Sequence, residues 1–380
     1  MRKKILICNP FISVGGIATY TFSLGKGLIK TGKQVYFVST HYKGDFWSEV
    51  GDSFSAVFTI EEVKNPLLKI FRIIRLIKKL KPNVIIINNC PTINYAIPFI
   101  DRSINVISVI HSDDNRYYEL DTRFHGWINY LVCPSLKVKK TATIYVSEKS
   151  AVKVKYIPHG IKIFDNLQIE NKIKNSLIFV GNLDAHKGVN MFMPILKKLT
   201  KDFKSTHLYI VGRGPLKNEL IKNFNKNGLA ENVTFLGTIK KKALYELFSK
   251  MEVLLFPTQL ESFGLVIPEA MSCGVIPVIS NLEGITDQFI LQGSNGFLCD
   301  KNNEKDFFQN IVKIFRDNKL KKTLRENSRN FVLEKFTEKN MLENYNYLIN
   351  DKLDIFKPKL YSLKWFKLYF ESLIKIIQNG

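Results

Sequence analysis

Short apolar runs bounded by Asn, Gly and Pro alternate along the chain with longer stretches in which apolar residues recur every three or four positions. The first kind of run reads as a buried strand, the second as a helix with one face in the core. In the first half, strands are expected at 4–8, 34–39, 84–88 and 105–110, with helices at 17–30 and 63–81. The second half repeats the pattern. Strands are expected at 177–180, 207–211, 232–236, 253–256 and 276–279, and helices at 191–201, 215–227, 241–250 and 263–273. Strands separated by helices pair in parallel, so each half reads as a doubly wound α/β sheet. The polar stretch 161–174, rich in Lys and Asn, reads as the join; 304–335 is expected to be helical, and 337–351 to form a further helix.

At 380 residues the chain exceeds one ordinary core and fits two Rossmann-like domains facing each other across a cleft. The expected domains are 1–162 and 175–335, followed by a helical segment 336–380. Ligands of open α/β sheets bind beyond the carboxyl ends of the strands, so the strand-ending loops carry most of the functional weight. No apolar run is long enough to span a bilayer, and Met1-Arg2-Lys3-Lys4 leads directly into the first strand, so a cytoplasmic protein is expected. Cys8, Cys90, Cys133, Cys273 and Cys299 are scattered without ligand spacing and read as buried reduced thiols.

Net charge changes the picture of partners. At +22 the chain attracts anionic ligands and surfaces. Between residues 63 and 81 seven basic residues and no acidic one interleave with apolar residues at helical spacing, which fits a helix packed on a sheet with its basic face in water. Segment 357–378 combines five lysines and one glutamate with Trp365, Phe366, Tyr369, Phe370, Leu373 and Ile376, a composition suited to the inner face of an anionic membrane. No nucleic-acid reading module accompanies the charge, so nucleic acid is not an expected partner.

The densest candidate chemistry lies at 256–280, FPTQLESFGLVIPEAMSCGVIPVIS, which sets Glu261 and Glu269 eight positions apart around an expected helix start. Backbone N–H groups there suit an anion, and carboxylates on either side accept hydrogen bonds from hydroxyls. Further candidates end other strands: Gly15 and Gly16, His111 with Asp113 and Asp114, Lys187 before Gly188, and Arg213 between Gly212 and Gly214. The glycine pair falls short of a dinucleotide fingerprint, so no nicotinamide cofactor is expected. The acidic pair lacks metal-site spacing, so no metal is expected either. His159 reads as a turn residue.

In the residues Pro257, Glu261, Phe263, Gly264, Glu269, Ala270, Gly274, Pro277 and Val278, the chain resembles retaining glycosyltransferases of family 4, which have the GT-B fold. Val14-Gly15-Gly16, Ile157-Pro158-His159-Gly160, Phe179-Val180-Gly181-Asn182-Leu183 before Lys187-Gly188, Val211 to Pro215 and Gly293 to Phe297 extend the likeness over roughly residues 1 to 350. The resemblance implies a nucleotide-sugar donor without cofactor, and a saccharide or lipid-linked acceptor. It assigns catalysis to Glu261, Lys187 and His111. Glu269 would accept from ribose hydroxyls, Glu261 with the N–H groups of Phe263, Gly264 and Leu265 would hold the transferred sugar and diphosphate, and Lys187 would neutralise the leaving group. Gly16 would face the donor and His111 the transferred sugar. Asn182 stands where many relatives carry arginine, which leaves Arg213 as the substitute cation. In the same relatives the helix at 337–351 crosses back to the first domain. The implied setting is bacterial surface polysaccharide or lipopolysaccharide synthesis; a GT-B sugar-nucleotide epimerase and a degenerate GT-B binding protein are the alternatives.

Overall fold

The chain folds as two α/β units, Met1–Gly160 with Glu338–Gly380, and Ile161–Thr337. The computed structural model describes residues 2–13, 15–45, 47–146, 152–164, 167, 169–351, 369 and 371.

The first unit carries β1 (Lys4–Asn9), β2 (Gln34–Ser39), β3 (Ala56–Thr59), β4 (Val84–Asn88), β5 (Asn105–Val109), β6 (Tyr130–Cys133) and β7 (Lys153–Tyr156). All are parallel, in the order β3-β2-β1-β4-β5-β6-β7. The second carries β8 (Ser176–Val180), β9 (His207–Val211), β10 (Val233–Gly237), β11 (Val253–Phe256), β12 (Ile276–Ser280) and β13 (Phe297–Cys299), ordered β10-β9-β8-β11-β12-β13. Both orders reverse beside the first strand of the unit, at β1/β4 and at β8/β11. A strand-order reversal opens a crevice beyond the carboxyl ends, because the connections on its two sides depart to opposite faces. Central strands are apolar on both faces: Ile85, Ile86 and Ile87 are fully buried, each worth roughly 1.5–3 kcal/mol of burial.

Four strands were not expected from the pattern. β3, β7 and β13 lie at sheet edges, β7 reads Lys-Val-Lys-Tyr, β13 has only three residues, and β6 is a four-residue strand between β5 and β7. The stretch 304–335, expected to be helical, forms two helices. Glu304–Arg316 ends before Asp317, whose carboxylate accepts from Leu320 N at 2.9 Å and caps Asn318–Lys335. The helix expected at 263–273 is shorter, Val266–Ser272, because Gly264 takes the left-handed φ of +85° and keeps the preceding residues in a loop.

Helix Glu338–Asn350 completes the first unit by packing on helix Gly16–Lys30. A Cβ on Gly27 would collide with Leu342, and Tyr20 and Tyr345 join their hydroxyls at 2.6 Å. Helix Pro66–Leu80 is capped by Asn65, which accepts from Leu67 N at 2.9 Å and Leu68 N at 3.1 Å. It buries Ile70, Ile73 and Ile77 while leaving Leu67, Leu68 and Phe71 at 41, 57 and 62% exposure. The five cysteines are buried and free. Apart from Tyr369 and Glu371, the segment 357–378 singled out for membrane contact lies outside the described residues. Tyr369 is buried, its ring edge-on to Phe99 at 4.9 Å. Among the described residues no helix is long and apolar enough to cross a membrane.

Candidate active site

Three loops converge at the strand-order reversal of the second unit. The loop after β8 turns through Gly188 in the left-handed region, and a Cβ there would collide with the Pro257 carbonyl of the loop after β11. Gln259 N donates to His186 O at 2.8 Å and ties the same two loops together. The loop after β9 closes on the other side, where a Cβ on Gly212 would strike the Gly181 carbonyl and Leu183 N donates to Arg213 O at 2.9 Å. Glycine is required at 188 and 212 because backbone meets backbone.

This packing brings Lys187 and Glu261 together as an ion pair, both side chains largely shielded from water. Lys187 Nζ also lies 6.0 Å from the Phe256 ring centroid. Phe263 is buried against Phe289, Gly264 and Leu265 are half-buried, and the first helical bonds run from Ile267 N to Gly264 O at 2.9 Å and from Glu269 N to Leu265 O at 3.2 Å. Asn182 and Arg213 are exposed at the rim of the adjoining loops.

Glu269 is 5% exposed and forms an ion pair with Lys241, the first residue of helix Lys241–Phe248. Lys241 was not among the sequence candidates, being one of three consecutive lysines, Lys240 to Lys242. The partner is physically required, since a buried carboxylate without a cation would be strongly destabilising. In each pair the lysine takes one oxygen, Oε1 of Glu261 or Oε1 of Glu269, and a carboxylate has lone pairs to spare for hydroxyl donors.

The expected residues Gly16 and His111 belong to the first unit. Gly16 is exposed and opens helix Gly16–Lys30 beyond β1, after Gly15 at φ 152°. His111 follows β5 and is 6% exposed. Its Nε2 meets Asn88 Oδ1 at 2.9 Å, Asn88 Nδ2 donates to Asn9 Oδ1 at 2.9 Å, and Asn9 Nδ2 donates to Thr21 Oγ1 at 3.1 Å. Asn9 and Asn88 end β1 and β4, the pair at the reversal, and parallel pairing sets them side by side. The His111 ring stacks on His159 at 5.2 Å and meets the edge of Tyr20 at 4.9 Å. His159, expected only as a turn residue, is thus a buried member of the cluster, at 5% exposure. Burial and then the neighbouring His159 hold the His111 imidazole well below its ordinary pKa, and burial brings His159 down to about 3, so both rings are neutral. Asp113 and Asp114 have structural partners: Asp113 pairs with Lys137 at 2.7 Å and accepts from Tyr118 at 2.7 Å, while Asp114 caps helix Asn115–Thr122 through Arg116 N at 2.9 Å.

Two Rossmann-like parallel sheets, each with chemistry gathered at its strand-order reversal, define a protein of the GT-B class. Residues 137–331 match the family model of group 1 glycosyl transferases and residues 14–163 that of glycosyltransferase family 4. The chain belongs to the group 1, family 4 glycosyltransferases. It is 25% identical to the N-acetyl-alpha-D-glucosaminyl L-malate synthase of Bacillus anthracis, over 93% of this chain and 98% of that protein. An uncharacterized glycosyltransferase of Methanocaldococcus jannaschii is 30% identical over 40% of this chain, a match spanning 42% of that relative's length. Among solved structures, Anabaena HepE in complex with UDP and glucose shares the fold with TM-score 0.75 at 15% identity, covering 91% of this chain and 98% of that one.

Proposed function

We propose that the protein transfers a sugar from a nucleotide diphosphate sugar to an acceptor hydroxyl with retention at the anomeric carbon. The bond from that carbon to the diphosphate breaks with its electron pair leaving on phosphate, and the acceptor oxygen forms the new bond as its proton is released. The observation that carries this reading is the Lys187–Glu261 ion pair at the β8/β11 reversal. A lysine already ordered by a carboxylate meets a departing diphosphate with little rearrangement, which is the form of electrostatic stabilisation that favours the transition state over the ground state. Glu261 then holds the sugar with the N–H groups of Phe263, Gly264 and Leu265, and Glu269 takes the ribose hydroxyls on the lone pairs Lys241 leaves open. Arg213 supplies the cation that Asn182 does not. With the leaving charge met by protein cations, the reaction needs no metal ion.

The acceptor in this reading is a saccharide or a lipid-linked saccharide at an anionic membrane surface, within surface polysaccharide or lipopolysaccharide synthesis. Supporting it, helix Pro66–Leu80 exposes Leu67, Leu68 and Phe71 beside Arg72, Arg75, Lys78 and Lys79. Each cation near such a surface adds about 1 kcal/mol. The experiment is a screen of UDP-, GDP- and ADP-sugars that follows nucleotide release, with lipid-linked and free acceptors, with and without EDTA. Acceptor-dependent release unaffected by EDTA is expected. Conversion of the donor without an acceptor would make the protein an epimerase, and no turnover of any donor would remove the transferase reading.

A further inference from the structure

The amide chain behind His111 does more than fill the end of a sheet. Each link has a polarity, because an amide donates through Nδ2 and accepts through Oδ1. With Asn9 donating to Thr21 and Asn88 donating to Asn9, Asn88 turns its Oδ1 to the imidazole, and His111 Nε2 must bring the proton. Reversing every link would put the proton on Nδ1. That nitrogen is buried and has no hydrogen-bond partner among the described residues. A buried N–H without an acceptor is among the rarest defects in folded proteins, whereas an unused lone pair is better tolerated. The polarity with Nε2–H is therefore the stable one.

We propose that Asn88 is a positioning residue: supported by Asn9 and Thr21, it holds His111 as the Nε2–H tautomer and leaves Nδ1 without a proton. An effect on turnover rests on the proposed function; the tautomer does not. Asn9 and Asn88 are fixed by strand pairing at the reversal, so the imidazole is oriented before any ligand arrives. The stacked His159 covers the ring and contributes no competing cation, being neutral itself.

The test is long-range ¹H–¹⁵N correlation on the full chain labelled at histidine nitrogens, with His111 identified by the signals that vanish in His111→Gln. The wild type is expected to show an Nε2–H, Nδ1-bare signature. Asn88→Asp, which can only accept, should preserve it, because the Asn9 amide can reverse to donate. Asn88→Leu should lose it to the other tautomer or to an average of both, and kcat with the donor that the nucleotide-sugar screen finds active should fall at least about tenfold there. An Nδ1–H signature in the wild type, or an unchanged signature in Asn88→Leu, overturns the proposal. The wild-type spectrum decides even where a variant fails to fold. Nε2–H without turnover of any nucleotide sugar would end the proposed function and leave the relay standing; Nδ1–H with normal turnover would do the reverse.

Discussion

The two sheets share a strand order and place their chemistry at the same topological point, yet one presents charge and the other does not. At β8/β11 the loops carry Lys187 against Glu261, with Lys241 against Glu269 close by in sequence to the same motif. At β1/β4 the strands end in Asn9 and Asn88, which hydrogen-bond to each other, and Asn88 Oδ1 accepts from a neutral His111 stacked on a neutral His159. The difference follows from pairing. Each carboxylate of the charged end has a lysine against it, the 5%-exposed Glu269 included, while burial holds the two imidazoles below their ordinary pKa and so neutral. One fold thus carries a charged cluster at one reversal and a neutral, hydrogen-bonded cluster at the other.

The largest effect expected from breaking this contrast is at the charged end. Lys187→Ala should lower kcat by about 10²–10³ with an unchanged circular dichroism spectrum, since under the proposed function it removes the cation that faces the leaving group and frees Glu261 to repel it. Steady-state nucleotide release checks this. Glu269→Ala should weaken donor binding by roughly 10- to 100-fold, the loss of charge-assisted hydrogen bonds, and it leaves Lys241 without its partner. Calorimetric titration of the nucleotide reads that change, and Lys241→Met in the same background should not restore it.

The neutral end should show itself in stability against acid, not in charge chemistry. Because both folded pKa values are depressed, the unfolded chain binds protons first: stability is full above the ordinary histidine pKa of about 6.5 and is lost as pH falls below it. From pH 7 to 5 the His159 ring should cost about 2 kcal/mol of folding stability, and His111 adds a loss of the same sign. Denaturant melts at the two pH values measure the total, and His159→Phe should remove the His159 share. The smallest effect sharpens the fold and spares both sites. Asp317→Ala should cost about 1 kcal/mol through the lost cap and leave turnover unchanged, as a melt and an activity assay together would show.

The alternation of apolar runs was enough to read the central strands, because a run such as Val84–Asn88 is buried on both faces and has no polar face to disguise it. Edge strands escape the same reading: β7 alternates lysine with Val and Tyr because one side of it meets water. The residues of the charged end were legible through motif spacing, but their pairing was not. Lys187 and Glu261 are 74 positions apart, and nothing local in either segment announces the other. Lys241 was invisible for a different reason, standing among identical neighbours of which only one reaches Glu269. Asn9, Asn88 and His159 look like ordinary strand ends and turns. Their role comes from parallel pairing and from burial, which a single sequence does not display.

Calorimetric titration of UDP, GDP and ADP into the wild type, Lys187→Ala and Glu269→Ala tests the central claim most directly, that the charged end of the second unit holds a nucleotide diphosphate. The account predicts saturable heat with at least one nucleotide and an affinity at least tenfold weaker in Glu269→Ala. No heat with any nucleotide, or the same dissociation constant in all three proteins, would contradict it.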